Sequence, residues 1–174
     1  MPNPDACTEM MMTDEDDIHT LAKQVGSMLS QHGGKLAAAE SCTGGWVCQA
    51  VTDVAGSSAW FDCGFVTYSN AAKQHLLGVP ESVLEGYGAV SEQTVRAMAA
   101  GALLNSLADC VVAVSGIAGP AGATPGKPVG TVWFAWQRRD GNCATLKKQF
   151  DGDRRSVRRQ AVTVALQGLL KVYG

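Results

Sequence analysis

Apolar residues recur along the chain in two rhythms, one of three to four positions and one of two, with glycine, proline and capping residues between them. Ile18, Leu21, Val25, Met28 and Leu29 follow the first, which lines one face of an α-helix. Thr13 and the acids at 14–17 predict its start, because a threonine side chain caps free amides and acids suit the first turn. Gly33-Gly34 predicts its end. Residues 35–40 run apolar into Ser-Cys-Thr-Gly-Gly, a buried strand feeding a turn. A helix follows over 44–53, with Trp46, Val47 and Val51 inward. Residues 60–68 (WFDCGFVTY) alternate and are rich in aromatic and β-branched side chains, which predicts a strand. A short helix spans 70–77, stopped by Gly78 and Pro80.

After a loop at 86–91, Ser91 caps a predicted helix over 92–108, whose stripe is Val95, Met98, Ala99, Ala102, Leu103 and Leu107. Residues 110–115 (CVVAVS) form a continuously apolar strand, suited to a sheet covered on both faces. Residues 116–130 are a long Gly/Pro-rich loop. Strands at 131–138 and 143–150 are joined at Asp140-Gly141, a hairpin signal. Asp153 caps a last helix that turns Val157, Ala161, Val164, Leu166 and Leu169 inward. The alternation predicts an α/β fold, a three-layer α/β/α single domain with a mixed β-sheet over 14–174. Residues 1–13 are expected to be a disordered N-terminal extension.

Composition narrows the class of protein. At 174 residues, 46% hydrophobic and 17% charged, the chain can bury a continuous core in one domain. Its formal net charge of -2 gives no general attraction to nucleic acid or anionic membrane. Basic residues nevertheless crowd the last third: Arg138, Arg139, Lys147, Lys148, Arg154, Arg155, Arg158 and Arg159. A solvated face and a local anion site both fit that cluster. The 6 cysteines include no CxxC pair and no histidine at zinc-finger spacing. With no secretory signal and no apolar run of bilayer length, the expected setting is a reducing cytoplasm with free thiols.

Two glycine-bearing junctions could carry chemistry. In AESCTGG (39–45), Ser41 lies at the end of a strand just before a helix. Thr43, Gly44 and Gly45 there let a ligand approach the backbone, which suits a nucleophile beside an oxyanion hole. The same serine would equally cap the helix. The spacing is neither that of a P-loop nor that of a G-x-S-x-G elbow. A serine nucleophile needs a base, and His19, His32 and His75 mark no Ser-His-Asp triad. The cluster Tyr68-Ser69-Asn70-Ala71-Ala72-Lys73 offers another partner, with Asn70 and Lys73 on one helical face. Lys73 could deprotonate Ser41 only if its pKa fell toward neutrality; an ordinary solvated lysine is the competing reading. Tyr68 could relay that proton or position the leaving amine. Cys42 with His75 is a second nucleophile–base pair, although a cysteine beside a turn is usually a small hydrophobe. The second junction, 115–130, could wrap a ligand through Gly116 and Gly119, with Lys127 either on a phosphate or in solvent.

Together these segments resemble the CinA C-terminal domain family, the nicotinamide-nucleotide amidohydrolase or NMN deamidase family. The matching pieces are AESCTGG (39–45), TDVAGSSAWF (52–61), GFVTYSNAAK (64–73), GAVSE (88–92), SGIAGP (115–120), KPVGTVWFA (127–135) and GDRRSVRRQAV (152–162). They occur in the family's order, from about residue 18 to the end, as in the stand-alone form. Residues 121–126 carry less glycine than the family's loop and lack its acid. The resemblance implies deamidation of nicotinamide mononucleotide to nicotinic acid mononucleotide and ammonia, in pyridine-nucleotide salvage. It implies Ser41 as nucleophile, Lys73 as base, Tyr68 in support, and no metal or organic cofactor. The partners expected are a small-molecule nucleotide substrate and further copies of the chain, as a homo-oligomer, with no nucleic acid and no membrane. A catalytically weak nucleotide-binding or regulatory protein of the same family is the alternative.

Overall fold

The computed structural model describes residues 14–174, so the expected extension at 1–13 and the Thr13 cap lie outside the described residues. Within them the order is α1 (Asp14–His32), β1 (Leu36–Glu40), α2 (Trp46–Thr52), β2 (Phe61–Val66), α3 (Asn70–Leu77), α4 (Glu81–Tyr87), α5 (Glu92–Leu104), β3 (Cys110–Gly116), β4 (Thr131–Arg138), β5 (Cys143–Gln149) and α6 (Arg154–Tyr173). One 3-10 turn, Ser57–Ala59, precedes β2. The strands form a single mixed sheet in the order β2-β1-β3-β4-β5. β1 runs parallel to β2 and β3, while β4 runs antiparallel to β3 and β5.

The predicted three layers are present. Every residue of β1 is buried, as is all of β3 up to Ser115, because helices cover both faces there. On one face Ile18, Ala22, Val25 and Leu29 of α1, Val47 and Val51 of α2, and Val157, Ala161 and Leu166 of α6 pack on Leu36, Ala38, Val112, Val114, Phe134 and Trp136. On the other, Val95, Met98, Ala99 and Ala102 of α5 pack with Leu77 and Leu84 on Ala37, Ala39, Val111 and Ala113. The alanines of β1 let α5 lie close, and Gly101 lets α5 approach α3. A methyl group on Gly101 would collide with the Leu77 carbonyl oxygen.

Several boundaries differ from those the pattern predicts. α5 stops at Leu104 because Asn105 Nδ2 donates to the Gly101 carbonyl and Ser106 Oγ to that of Ala102. Leu107 is therefore outside the helix and 78% exposed, not part of its apolar stripe. β2 ends at Val66, leaving Thr67 and Tyr68 beyond the sheet edge. α2 begins at Trp46, since Gly44 and Gly45 take left-handed φ values of 62° and 96° that cannot continue a helix. α4 follows Pro80 where the pattern left a break. The Ser91 and Asp153 caps form as expected, accepting from the Thr94 and Ser156 amides.

The topology fixes where a site can form. From β1 the chain crosses one face through α2 to β2, then returns over the other face through α3, α4 and α5 to β3. β2 and β3 therefore flank β1 on opposite sides, and a crevice opens at the carboxyl ends of β1 and β3. Open α/β sheets bind ligands at such a reversal.

Candidate active site

Ser41 is the first residue beyond β1, and its amide donates to the Val114 carbonyl at 3.0 Å, extending the pairing with β3. The next four residues form a tight turn, and Glu40 locks it. This carboxylate is fully buried, with Oε2 accepting from the Gly45 and Val47 amides at 3.0 and 3.1 Å and Oε1 from Cys48 at 2.9 Å. An acid on the free amides of the first helical turn is stabilised by charge-assisted hydrogen bonds. From the far side Arg158 donates Nε to the Cys42 carbonyl at 3.1 Å and Nη2 to that of Thr43 at 2.9 Å. The turn carrying Ser41 is thus held by an anion from within and a cation from α6.

Lys73 comes to this serine from 32 positions downstream. Ser69 Oγ caps α3 by accepting from the Ala72 amide, and the first turn directs Lys73 inward, 1% exposed. Its Nζ lies 3.0 Å from Ser41 Oγ, 2.8 Å from the Thr67 carbonyl and 3.3 Å from the Tyr68 carbonyl. Burial lowers its pKa from 10.5 to about 8. Among the described residues no carboxylate forms a salt bridge with it. Three acceptors match the three hydrogens of an ammonium. The neutral amine has two hydrogens and a lone pair, and the carbonyls can only accept. With both hydrogens on Thr67 and Tyr68, the lone pair is left for the Ser41 hydroxyl proton.

Ser41, Cys42, Tyr68, Lys73, Ser115, Gly116, Gly119 and Arg154 line a crevice of about 230 Å³. Tyr68 is there, yet its hydroxyl accepts from Arg154 Nη2 at 2.8 Å and makes no hydrogen bond to Ser41 or Lys73. A proton relay through that hydroxyl is not what the geometry provides; the residue serves Lys73 through its carbonyl. Gly44 and Gly45 face away, and their amides are already engaged, Gly44 with the Ser41 carbonyl and Gly45 with Glu40. They cannot form the expected oxyanion hole. Among the described residues no backbone carbonyl takes the Cys42 or Thr43 amide. Arg158 turns the Cys42 carbonyl toward α6, so in a planar trans peptide the Thr43 N–H points away from α6.

Asn70 is exposed and does not share the inward face of Lys73. Lys127 Nζ donates to the Tyr87 carbonyl and does not line the crevice. The hydroxyls of Thr43 and Thr67 are buried without a partner among the described residues. Such groups usually hold water when no protein atom serves them. Cys42 is buried, and desolvation with the charge of Glu40 pushes its thiol up to about 12, while His75 is exposed. The Cys42–His75 pair is not assembled.

Arg154 is a site residue that sequence reasoning left in an undifferentiated basic cluster. It bridges the crevice, donating Nη1 to the Gly119 carbonyl at 2.8 Å and Nη2 to Tyr68. Two neighbours in that cluster are structural. Arg139 holds the Leu103, Ser106 and Ala108 carbonyls at the end of α5, and Arg138 pairs with Asp140. A larger cavity, about 450 Å³, lies behind the same turn against His19, Trp46, Asp53, Arg155 and Arg158. It lacks a nucleophile–base pair, so the chemistry is assigned to the smaller crevice. Among the described residues no group of three His, Cys, Asp or Glu side chains could hold a metal ion.

The sequence and the fold are similar to those of known proteins. The chain is 56% identical over 159 residues to a nicotinamide-nucleotide amidohydrolase PncC of Enterobacter agglomerans, covering 91% of this chain and 97% of that one. The protein of that name in Escherichia coli K12 is 54% identical, with coverage of 93% and 98%. Among solved structures, the competence/damage inducible protein CihA of Agrobacterium tumefaciens superposes with a TM-score of 0.88 at 44% identity, over 91% of this chain and 96% of that one. A CinA superfamily protein of Klebsiella pneumoniae gives 0.86 at 42%, over 88% and 96%. The family description CinA C-terminal domain matches residues 18–173. On a match that spans residues 18–173 and relatives at 54–56% identity, the chain belongs to the CinA C-terminal domain family.

Proposed function

We propose that this protein hydrolyses the carboxamide of nicotinamide mononucleotide, releasing ammonia and nicotinic acid mononucleotide, with Ser41 as nucleophile and Lys73 as general base and acid. One observation carries the reading: a buried amine, lowered to about 8, lies 3.0 Å from a serine hydroxyl that lines a crevice. A nucleotide-binding module needs no such lysine. The relatives named nicotinamide-nucleotide amidohydrolase, matched over nearly their whole length, supply the substrate class.

In this reading the neutral Lys73 takes the Ser41 proton as Oγ attacks the amide carbon. The tetrahedral oxyanion forms beside the Cys42 and Thr43 amides, replacing the expected Gly44 and Gly45. The residue after a nucleophile commonly supplies such a donor. Lys73 then gives its proton to the amide nitrogen, the C–N bond breaks and ammonia leaves. Water, deprotonated by the same amine, cleaves the acyl-enzyme and restores Ser41. The crevice of about 230 Å³ is smaller than pockets that enclose a whole drug-sized ligand. The pyridine carboxamide therefore enters and the phosphate stays at the mouth, where Arg154 has N–H groups beyond the two it uses on Gly119 and Tyr68. The setting is cytoplasmic pyridine-nucleotide salvage.

The test is ammonia release from nicotinamide mononucleotide by purified protein. Wild type turns over, Ser41→Ala loses at least about a thousandfold in kcat, and Cys42→Ala retains most activity. Equal rates for wild type and Ser41→Ala would remove Ser41 from the mechanism.

A further inference from the structure

Ser115 is buried, 1% exposed, and the reading above gives it no task. It is the last residue of β3 before Gly116, and it lines the crevice with Ser41 and Lys73. The β1–β3 register pairs Glu40 with Val114, and the Ser41 amide continues that pairing on the Val114 carbonyl. Ser115 therefore sits beside Ser41 at the strand ends. Side chains alternate across a strand, so Ser115 shares a face with Ala113 and Ser41 with Ala39, both on the side covered by α5.

The direction of its hydrogen bond gives this placement chemical meaning. A serine hydroxyl has one hydrogen and two lone pairs. That hydrogen goes to the Ala89 carbonyl at 2.7 Å, an atom that cannot donate in return. Toward the crevice Ser115 Oγ consequently offers lone pairs only. An occupant pairs with it by bringing a hydrogen, which a carboxamide nitrogen does and an ester oxygen or carboxylate does not.

We propose that Ser115 is a specificity-determining residue that accepts an N–H of the substrate carboxamide and selects amides over esters; this rests on the amidohydrolase reading. The contact strengthens along the reaction. When Ser41 Oγ bonds to the carbon, the nitrogen becomes tetrahedral and takes the proton carried by Lys73. The N–H held by Ser115 then belongs to a cationic amine, and hydrogen bonds from ionised donors are stronger than neutral ones. An interaction stronger in the transition state raises kcat. Holding one N–H on Ser115 also leaves the nitrogen lone pair free to face Lys73. After water has cleaved the acyl-enzyme, the carboxylate product meets only lone pairs at Ser115, which disfavours its retention.

The experiment compares nicotinamide mononucleotide with the methyl ester of nicotinic acid mononucleotide, for wild type, Ser115→Ala and Ser115→Thr. The readout is the ratio of kcat for amide to kcat for ester, which does not depend on how much of a variant is folded. In Ser115→Ala the ratio falls by roughly tenfold or more, the size of one lost hydrogen bond, and Ser115→Thr, which keeps the hydroxyl, restores most of it. An unchanged ratio in an active Ser115→Ala, or an equal loss on both substrates, overturns the assignment. A wild-type protein that cleaves neither substrate overturns the amidohydrolase reading instead, so the two failures are distinguishable.

Discussion

An ammonium in water gives up its proton near pH 10.5, so at pH 7.5 about one lysine in a thousand is a base. At Lys73 the value is about 8, and roughly a quarter of molecules hold the neutral amine at the same pH. The cause is burial without a paired carboxylate. The two carbonyls beside it satisfy the amine but do not compensate its charge as an anion would. Lys73→Arg tests this contrast between charge and basicity. Arginine keeps the cation but does not deprotonate, so kcat is expected to drop by about a hundred- to ten-thousandfold in the ammonia assay. Retention of most activity would contradict the role of Lys73. The positions of Ser41 and Lys73 were legible because a serine at a strand end and a lysine one turn into a helix leave local marks. The hydroxyl of Tyr68 was misread, because its partner Arg154 is 86 positions away and no local spacing announces it.

The element that matters most is the seven-residue α2 with the turn before it. Seven residues are too few for a helix to persist by its own propensity. The Glu40 carboxylate, on the amides of Gly45, Val47 and Cys48, ties α2 to the strand that leads into Ser41. Glu40→Gln replaces one acceptor oxygen by an NH2 group facing N–H donors. A cost of roughly 2 kcal/mol is expected, read as a melting temperature lower by roughly 4–8 °C, with a fall in kcat as the turn loosens. A melting temperature equal to wild type would show that the turn is held by Arg158 alone. The role of Glu40 was partly available in AESCTGG, since an acid before a glycine turn and a helix is placed to cap it. The glycines there invite an oxyanion-hole reading only until Glu40 is assigned. α5 was overextended because Leu107 continues the apolar spacing of Leu103, whereas Asn105 and Ser106 bond back and close the helix.

Across the whole molecule, the sheet order separates tasks that the sequence runs together. The basic cluster of the last third divides into Arg139 under α5, Arg158 under the nucleophile turn, Arg154 at the crevice, and the exposed Lys147 and Lys148 on edge strand β5. Charges on an edge strand discourage pairing with other chains. A linear reading of charge could not divide the cluster, because the division depends on which helix end reaches the carboxyl edge of the sheet. Arg154→Ala is expected to raise KM for nicotinamide mononucleotide roughly ten- to hundredfold, the span of a charge-assisted contact. KM for the nucleoside without phosphate should be nearly unchanged. Equal effects on both would assign Arg154 to the crevice wall.

The measurement closest to the centre of this account is the pH dependence of kcat/KM for nicotinamide mononucleotide between pH 6.5 and 9.5. Only the unprotonated amine of Lys73 can take the Ser41 proton. The rate constant should therefore climb about tenfold per pH unit on the acid side and level off above about 8, the value set by burial. A profile flat across that range, or one that falls as pH rises through 8, would contradict lysine activation of the serine.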